Sequence, residues 1–302
     1  MPKVLISGGS GSIGRALCAL LEQHGYDPCI LSRSRKDDER YTTFLWDHAR
    51  DYLENGALEN CEHIIHLAGT GIADKRWTDS RKKEILNSRV ETGALLHRKV
   101  REANVPLKSF VSASATGYYG QVSGLVARKE QDPPGDDFTA HTCKAWEAAA
   151  DQFNELGIRT VKLRIGIVLM PTGGALEAMA APVKLGFGSV LGSGKQVLPW
   201  IHLNDLVHIL LRAVQDETMQ GVYNACAPSV TSNEEFTNIL AKVLQKRILL
   251  PRTPGWLLRL VLGERASLLL EGSPVSADKL LGTGFEFQYT DPETCIRDLL
   301  GN

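Results

Sequence analysis

The sequence predicts an α/β fold, a doubly wound parallel sheet joined to a smaller carboxy-terminal α/β lobe. Short apolar runs alternate with longer helical patterns through the first half of the chain, which is typical of a parallel sheet wrapped by helices. A glycine-rich loop follows the first apolar run directly. The second half is divided into shorter pieces by Gly and Pro, which indicates a separate, smaller lobe.

Six apolar runs are the predicted strands. They are Val4–Ser7, Cys29–Ser32, Thr43–Trp46, His63–Leu67, Phe110–Ser112 and Thr160–Leu163. Helical spacing of apolar residues predicts the main helices. These are Ser12–His24, Asp79–Ala103, Leu203–Val214, Asn233–Leu244 and Pro292–Leu300. The segment from Ala113 to Phe138 has no sustained period, and because long connections in compact domains are commonly functional, we expect the active site there.

The glycine loop predicts a nucleotide site. Gly8, Gly11 and Gly14 fit G-x-x-G-x-x-G, while Gly9, Gly11 and Gly14 fit G-x-G-x-x-G, so both registers stay open. Glycines let the backbone approach a pyrophosphate, and the helix that starts at Ser12 and Ile13 directs its free N–H groups at the phosphates. The strand before the loop and the helix after it supply the context that a Rossmann-type dinucleotide site requires.

The end of the second strand decides which dinucleotide is expected. A carboxylate about 20 residues beyond the glycines binds a free ribose 2′-hydroxyl, but this chain has Ser32-Arg33-Ser34-Arg35-Lys36 there. Arg33 can grip a 2′-phosphate in a bidentate fork, and Ser32 can donate a hydroxyl hydrogen bond. The expected cofactor is therefore NADP(H), the alternative being a merely solvated basic loop. We expect residues 1–165 to form the NADP(H)-binding Rossmann domain and residues 166–302 an interleaved, smaller substrate-side lobe.

Composition narrows the classes of partner. The 302 residues carry 34 basic and 35 acidic side chains, a net charge of -1, so no footprint for nucleic acid or an anionic membrane is visible. The six cysteines have no metal-site spacing and predict reduced thiols in a cytoplasmic protein. Neither a signal peptide nor an apolar run long enough for a membrane span is expected. The expected partner is a small-molecule substrate, and the sequence leaves a homodimer open.

Several motifs together resemble the extended short-chain dehydrogenase/reductase superfamily. They are the loop 7–14, the strand end His66-Leu67-Ala68-Gly69, the strand Phe110–Thr116 with Tyr118-Tyr119-Gly120, the strand Leu163-Arg164-Ile165-Gly166, and Trp200–Leu206. The chain is most similar to an atypical branch, the epimerase-family proteins, which carry a carboxy-terminal extension like residues 270–285. The resemblance implies that Leu67, Ala68, Gly69 and Arg164 border the cofactor and that Ser114 is the catalytic serine.

The sequence departs from that superfamily where its Tyr-x-x-x-Lys motif should be. Alignment on Trp146-Glu147 places Thr139 at the tyrosine position and Cys143 at the lysine position. A threonine hydroxyl does not ionise near neutral pH, and Cys143 is either a thiolate or, as we favour, a packed and inert cysteine. Our candidates for the catalytic side chains are therefore Ser114 and Tyr118.

A second departure concerns the substrate. The arginine that binds the diphosphate in nucleotide-sugar enzymes is replaced here by Leu198. Three functions stay open: an NADP(H)-dependent oxidoreductase or epimerase with a non-standard proton relay, a non-catalytic NADP(H)-binding sensor or interaction protein, and a nucleotide-sugar epimerase. We prefer them in that order.

Overall fold

A parallel sheet is the centre of the computed structural model, which describes residues 1–35, 40–120 and 126–301. Within those residues, eight strands form one sheet in the order β10-β7-β6-β5-β1-β2-β3-β4. They are β1 Lys3–Ser7, β2 Asp27–Ser32, β3 Thr43–Asp47, β4 Tyr52–Leu53, β5 Cys61–His66, β6 Ser109–Ala115, β7 Arg159–Ile165 and β10 Gly221–Ala225. Only β4 runs antiparallel to its neighbour among these described strands. The predicted doubly wound fold class is confirmed.

Helices cover both faces of the sheet. A separate pair of short parallel strands, β8 Ile167–Leu169 and β9 Trp200–His202, lies beyond its carboxyl edge. The helices are α1 Ser12–Gln23, α2 Asp79–Ala103, α3 Phe138–Asp151, α4 Gly174–Lys184, α5 Leu203–Gln215, α6 Asn233–Val243, α7 Gly255–Leu262, α8 Ser267–Leu270, α9 Asp278–Leu281 and α10 Pro292–Leu300. None of the helices in these described ranges has the length and apolar composition needed to cross a membrane.

The alternation of side chains along β1 shows how the two core layers form. Val4 and Ile6 point to the face that packs against α1 and α5, whereas Leu5 points to the face that packs against α2 and α3. All three side chains are fully buried. A strand with apolar residues on both faces is stable only when both faces are covered. The run Val4–Ser7 is therefore a central strand.

Strand β10 was not predicted from the sequence. It extends the main sheet at one edge by pairing in parallel with β7, so chain from beyond residue 166 completes the sheet. Its run Gly221–Ala225 is interrupted by Asn224, a fully buried side chain that accepts a hydrogen bond from the Tyr119 hydroxyl at 2.7 Å. A polar residue whose hydrogen bonds are made inside the protein can lie in a buried strand. It interrupts the run of apolar residues from which such a strand is predicted.

Two buried histidines on β5 predict a loss of stability in acid. His63 Nδ1 lies 2.8 Å from Ser109 Oγ, and His66 Nδ1 lies 2.7 Å from Ser7 Oγ. Burial lowers the pKa of each to about 4, from an ordinary value of about 6.5. Because the folded pKa is depressed, the stability from the neutral imidazoles is complete above pH 6.5 and is lost as the pH falls through 4.

We therefore expect the free energy of unfolding, measured with urea, to fall between pH 6.5 and 4. His63→Asn should make this fall less steep, since one proton fewer is taken up on unfolding. His24→Asn is the control, because His24 is exposed. Equal slopes for His63→Asn and the unmodified protein would contradict the assignment.

Candidate functional site

The glycine loop closes tightly between β1 and α1. Gly8 has a φ of +76°, and the Gly11 amide donates to the Gly8 carbonyl at 3.0 Å. A Cβ added at Gly14 would lie 2.4 Å from that carbonyl oxygen, so only glycine fits there. Gly11 precedes α1 in an extended conformation and gives no side-chain cap. The first-turn N–H groups, from Ser12 and Ile13 onward, are thus left for an anion.

The ends of β1 and β5 are held together beside this loop. The Leu67 amide donates to the Ser7 carbonyl at 3.1 Å, and the Ala68 amide donates to Ser7 Oγ at 3.2 Å. Gly8 is packed so closely on Leu67 that an added Cβ would lie 3.0 Å from the Leu67 carbonyl carbon. The structure therefore brings two of the predicted cofactor segments, residues 8–14 and 67–69, to one crevice at the carboxyl edge of the sheet.

The third predicted cofactor segment follows β2. Ser32 Oγ donates to the Ser34 carbonyl at 2.7 Å. Arg33 is exposed, and within the described ranges no carboxylate pairs with it, whereas Arg35 forms an ion pair with Glu54. Lys36 lies outside the described residues. Arg33 is therefore the guanidinium in this segment that is left for a ligand phosphate.

Ser114 and Arg164 meet at a buried carboxylate that the sequence analysis missed, Glu147. Ser114 Oγ donates to Glu147 Oε1 at 2.7 Å. Arg164 donates to both oxygens of the same carboxylate, at 2.8 and 2.9 Å. The three side chains are 2%, 2% and 6% exposed for Ser114, Arg164 and Glu147. This ion pair joins β6, β7 and α3 inside the protein.

Two tyrosines, Tyr118 and Tyr119, also contact the Arg164 guanidinium. The Tyr118 ring stacks on it, with 3.3 Å from Cζ to the ring centroid, and Arg164 Nη1 donates to the Tyr119 hydroxyl at 2.9 Å. Burial raises the pKa of Tyr119 to about 12. Ser114, Tyr118 and Arg164 are thus brought together, but Ser114 and Arg164 are both bound to Glu147 and Tyr118 is stacked on Arg164.

A cavity of about 280 Å³ opens next to this cluster at the carboxyl ends of β6 and β7. Ser114 and Tyr118 themselves are not part of its wall, while the residues that follow β6 are. The predicted loop therefore contributes to the cavity through its two ends. The wall is built from Ile72, Arg89, Ala115–Gly117, Gly120, Asp137, Thr139, Thr142, Cys143, Trp146, Ile165–Ile167, Val197–Pro199, Ser267, Leu268 and Glu271–Ser273.

Both residues at the Tyr-x-x-x-Lys positions face this cavity. Thr139 Oγ1 donates to Asp137 Oδ1 at 2.6 Å, and Asp137 also caps α3 by accepting from the Ala140 amide at 2.8 Å. Burial raises the pKa of the Cys143 thiol to about 12. Near neutral pH the thiol is therefore protonated and unreactive.

Residues from the carboxy-terminal part of the chain, between 267 and 273, form another part of the cavity wall. Ser273 Oγ donates to the Gly120 carbonyl at 2.9 Å, and Gly272 is pressed against the Val197 carbonyl, where a Cβ would lie 2.0 Å away. Burial raises the pKa of Glu271, which pairs with Arg259 at 2.9 Å. The sequence assigned this segment to the substrate-side lobe but did not predict its contacts with Gly120 and Val197, because its local pattern does not show what it packs against.

Arg89 is a further wall residue that sequence reasoning missed. It lies on α2 four residues after Ile85 and three before Thr92, two positions that are buried against the sheet. The sequence did contain a signal: the helical spacing from Ile85 and Thr92 places Arg89, a cation, on the buried face of α2.

Comparison with known proteins gives consistent matches over the whole chain. A model of the NAD dependent epimerase/dehydratase family matches residues 4–226, and a domain of unknown function, DUF1731, matches residues 253–299. The human epimerase family protein SDR39U1 is 35% identical over 303 residues, with 99% of both proteins covered. An epimerase family protein of Staphylococcus aureus is 31% identical over 305 residues, again covering 99% of each. The crystal structure of human SDR39U1 (isoform 2) with NADPH has a TM-score of 0.88 at 34% identity and covers 99% of each chain.

Proposed function

The chain belongs to the NAD dependent epimerase/dehydratase family, and from this premise we propose that it is an NADP(H)-dependent oxidoreductase or epimerase acting on a small molecule. The observation that carries the proposal is the crevice in which an uncapped α1 terminus, a glycine loop that admits no Cβ at Gly14, and the end of β5 meet. This crevice and the cavity of about 280 Å³ lie at the same edge of the sheet, where open α/β sheets bind their ligands.

NADP(H) suits the charges around this crevice. The pyrophosphate would bind at Gly11, Ser12 and Ile13, and the adenine ribose would lie between Leu67–Gly69 and the end of β2. Arg33 would bind the 2′-phosphate, since Arg35 is already paired with Glu54. The similar human protein has been crystallised with NADPH, which supports the same cofactor for this chain. We propose the division into residues 1–165 for the cofactor and 166–302 for the substrate side, with β10 returning to the first unit.

The nicotinamide ring, when bound, supplies or accepts a hydride at the substrate carbon. We assign the accompanying proton to the pair Thr139 and Asp137, because the Thr139 hydroxyl faces the cavity and already donates to the carboxylate at 2.6 Å. The hydroxyl passes a proton from a substrate oxygen to Asp137, and the reverse transfer serves reduction. Ser114, Tyr118 and Arg164 act as positioning residues, because their contacts with Glu147 and with each other fix the loop 115–117.

A second candidate function is a non-catalytic NADP(H)-binding protein. It is favoured by the protonated state of Cys143 and by the commitment of Ser114 to Glu147. The test is the absorbance of bound NADPH at 340 nm during incubation with a panel of aldehydes, ketones and quinones. Oxidation by any member supports the oxidoreductase, while binding of NADPH with no oxidation across the panel counts against it and in favour of the second candidate. An epimerase regenerates its cofactor in each turnover and gives no net signal in this assay.

The cofactor assignment predicts a selective loss in Arg33→Ala. Removing a charge-assisted contact to a 2′-phosphate should weaken NADPH binding about 10- to 100-fold, which corresponds to about 1.4–2.7 kcal/mol. NADH binding should change by less than about threefold, because NADH has no phosphate there. Isothermal titration calorimetry with both dinucleotides is the measurement.

Arg35→Ala is the matched control for this test. It removes a guanidinium two residues away that pairs with Glu54, and it should leave the preference for NADPH over NADH intact. Equal losses of NADPH and NADH affinity in Arg33→Ala would exclude the 2′-phosphate contact.

A further inference from the structure

Arg89 is a half-buried cation without a carboxylate partner in the part of the chain that the structure describes. Its Nη1 donates to the Ile85 carbonyl at 2.9 Å and to Ser88 Oγ at 3.4 Å, both on its own helix. Its guanidinium lies over the Trp146 ring, 5.0 Å from the centroid. The more deeply buried arginines differ: Arg81 pairs with Glu84 and Arg164 with Glu147, each at 2.8 Å. Arg89 is the cation among these three that keeps donors for something else.

The carboxylates on the cavity wall do not neutralise Arg89. Asp137 accepts hydrogen bonds from Thr139 and from the Ala140 amide. Glu271 pairs with Arg259. Both are therefore engaged elsewhere on the wall that they share with Arg89.

Most of the remaining wall is apolar. Ile72, Trp146, Leu268 and the segments 165–167 and 197–199 surround the space beside the guanidinium. A cation that is held away from water and has no counterion is unfavourable, and burial indeed lowers the pKa of Arg89. An anionic oxygen from a ligand would remove that cost, and hydrogen bonds between guanidinium and anion are among the strongest in proteins.

The size of the cavity limits what the ligand can be. About 280 Å³ lies just below the range for small-molecule pockets, roughly 300–1,000 Å³. We propose that Arg89 binds the carboxylate or phosphate of the substrate, and that the substrate is a small organic anion with a mainly apolar body. This inference rests on the proposed function, because it assigns the cavity to the substrate and the glycine-loop crevice to the dinucleotide.

The test uses the full chain loaded with NADPH and three probes that each carry one polar group on a phenyl body. Phenylacetate carries a carboxylate, phenyl phosphate carries a phosphate, and phenylacetamide is the uncharged analogue of the first. Dissociation constants are measured by calorimetry for the unmodified protein, Arg89→Met, Arg89→Lys and Arg98→Met. Arg98 is the matched control because it lies on the same helix but pairs with Asp51 at an exposed site.

In the unmodified protein and in Arg98→Met, at least one anion should bind about tenfold more tightly than phenylacetamide, the scale of one charge-assisted hydrogen bond. The anion that binds more tightly identifies whether the natural group is a carboxylate or a phosphate. Arg89→Met should reduce the preference to less than about threefold, and Arg89→Lys should retain part of it. Affinity for NADPH should stay within about threefold in all variants, which also shows that they are folded.

Two results would overturn the proposal. One is an equal affinity for the anions and the amide in the unmodified protein, including no binding of any probe. The other is a large loss of NADPH affinity in Arg89→Met with the anion preference unchanged, which would place the guanidinium on the dinucleotide. If the unmodified protein fails to bind NADPH, the proposed function fails, and the same probes titrated into the unloaded protein still test Arg89 by itself.

Discussion

Glu147→Ala is expected to lower the free energy of unfolding by about 3–5 kcal/mol, because it leaves the guanidinium of Arg164 buried without its carboxylate. Arg164 is 2% exposed and donates to both oxygens of Glu147. The same substitution also removes the acceptor for Ser114 Oγ. Urea unfolding followed by circular dichroism at pH 7.5 measures the loss.

Two further variants make this expectation specific to the buried pair. Asp51→Ala removes a carboxylate that pairs with Arg98 and Lys99 at an exposed site, and it should lower the free energy of unfolding far less than Glu147→Ala, because water screens exposed ion pairs. The double variant Glu147→Leu with Arg164→Met removes both charges and should recover much of the loss. A cost for Glu147→Ala as small as that for Asp51→Ala would show that the network does not hold β6, β7 and α3 together.

Gly14→Ala is expected to weaken NADPH binding by about 100-fold or more, which is about 2.7 kcal/mol. The new Cβ would lie 2.4 Å from the Gly8 carbonyl oxygen and 2.5 Å from Gly9 Cα, so the loop must move away from α1. Both the N–H groups and the close approach that a pyrophosphate needs depend on that loop. Calorimetric titration with NADPH measures the effect.

Gly93→Ala provides the matched control, since Gly93 is also a helical glycine and its added Cβ would meet only ordinary contacts of 3.6 Å or more. It should bind NADPH within about threefold of the unmodified protein. Thermal unfolding of both variants separates a displaced loop from a failure to fold. An NADPH affinity for Gly14→Ala that matches Gly93→Ala would contradict the assignment of the glycine loop.

Local patterns were sufficient to predict most of the fold. The six predicted strands are all present because their apolar runs are buried on both faces of the sheet. Five are extended by one to four residues in total, and the strand predicted at His63–Leu67 begins two residues earlier and ends one residue earlier. Helices α2 and α10 have the predicted bounds, and α5 ends one residue later than expected. Strand β10 was missed because Asn224 is buried by partners that come from residues 119 and 276. No window along the sequence contains that information.

In the candidate site, too, the features that depend on local sequence could be predicted, and those that depend on distant residues could not. The segments 8–14 and 32–33 could be predicted as a phosphate site because a site of this kind depends on the order of residues along a strand, a turn and a helix, and their roles stay predictions. Ser114 was recognised as a residue, but its acceptor Glu147 is 33 positions away, so the sequence did not show that its hydroxyl points into the protein. The cavity wall joins residues from 72 to 273, and only the folded chain brings these together.

The wall formed by residues 267–273 fixes the order in which the protein can become functional during its synthesis. The glycine loop and β2 leave the ribosome early, and the last strand of the sheet is complete at residue 225. A chain of that length still lacks Leu268 and Ser273, which belong to the cavity wall, and also Leu280 and Phe285, which complete the core on one face of the sheet. The cavity is therefore enclosed only after the carboxy-terminal residues have been synthesised, and we expect a shortened product to lack a complete substrate cavity.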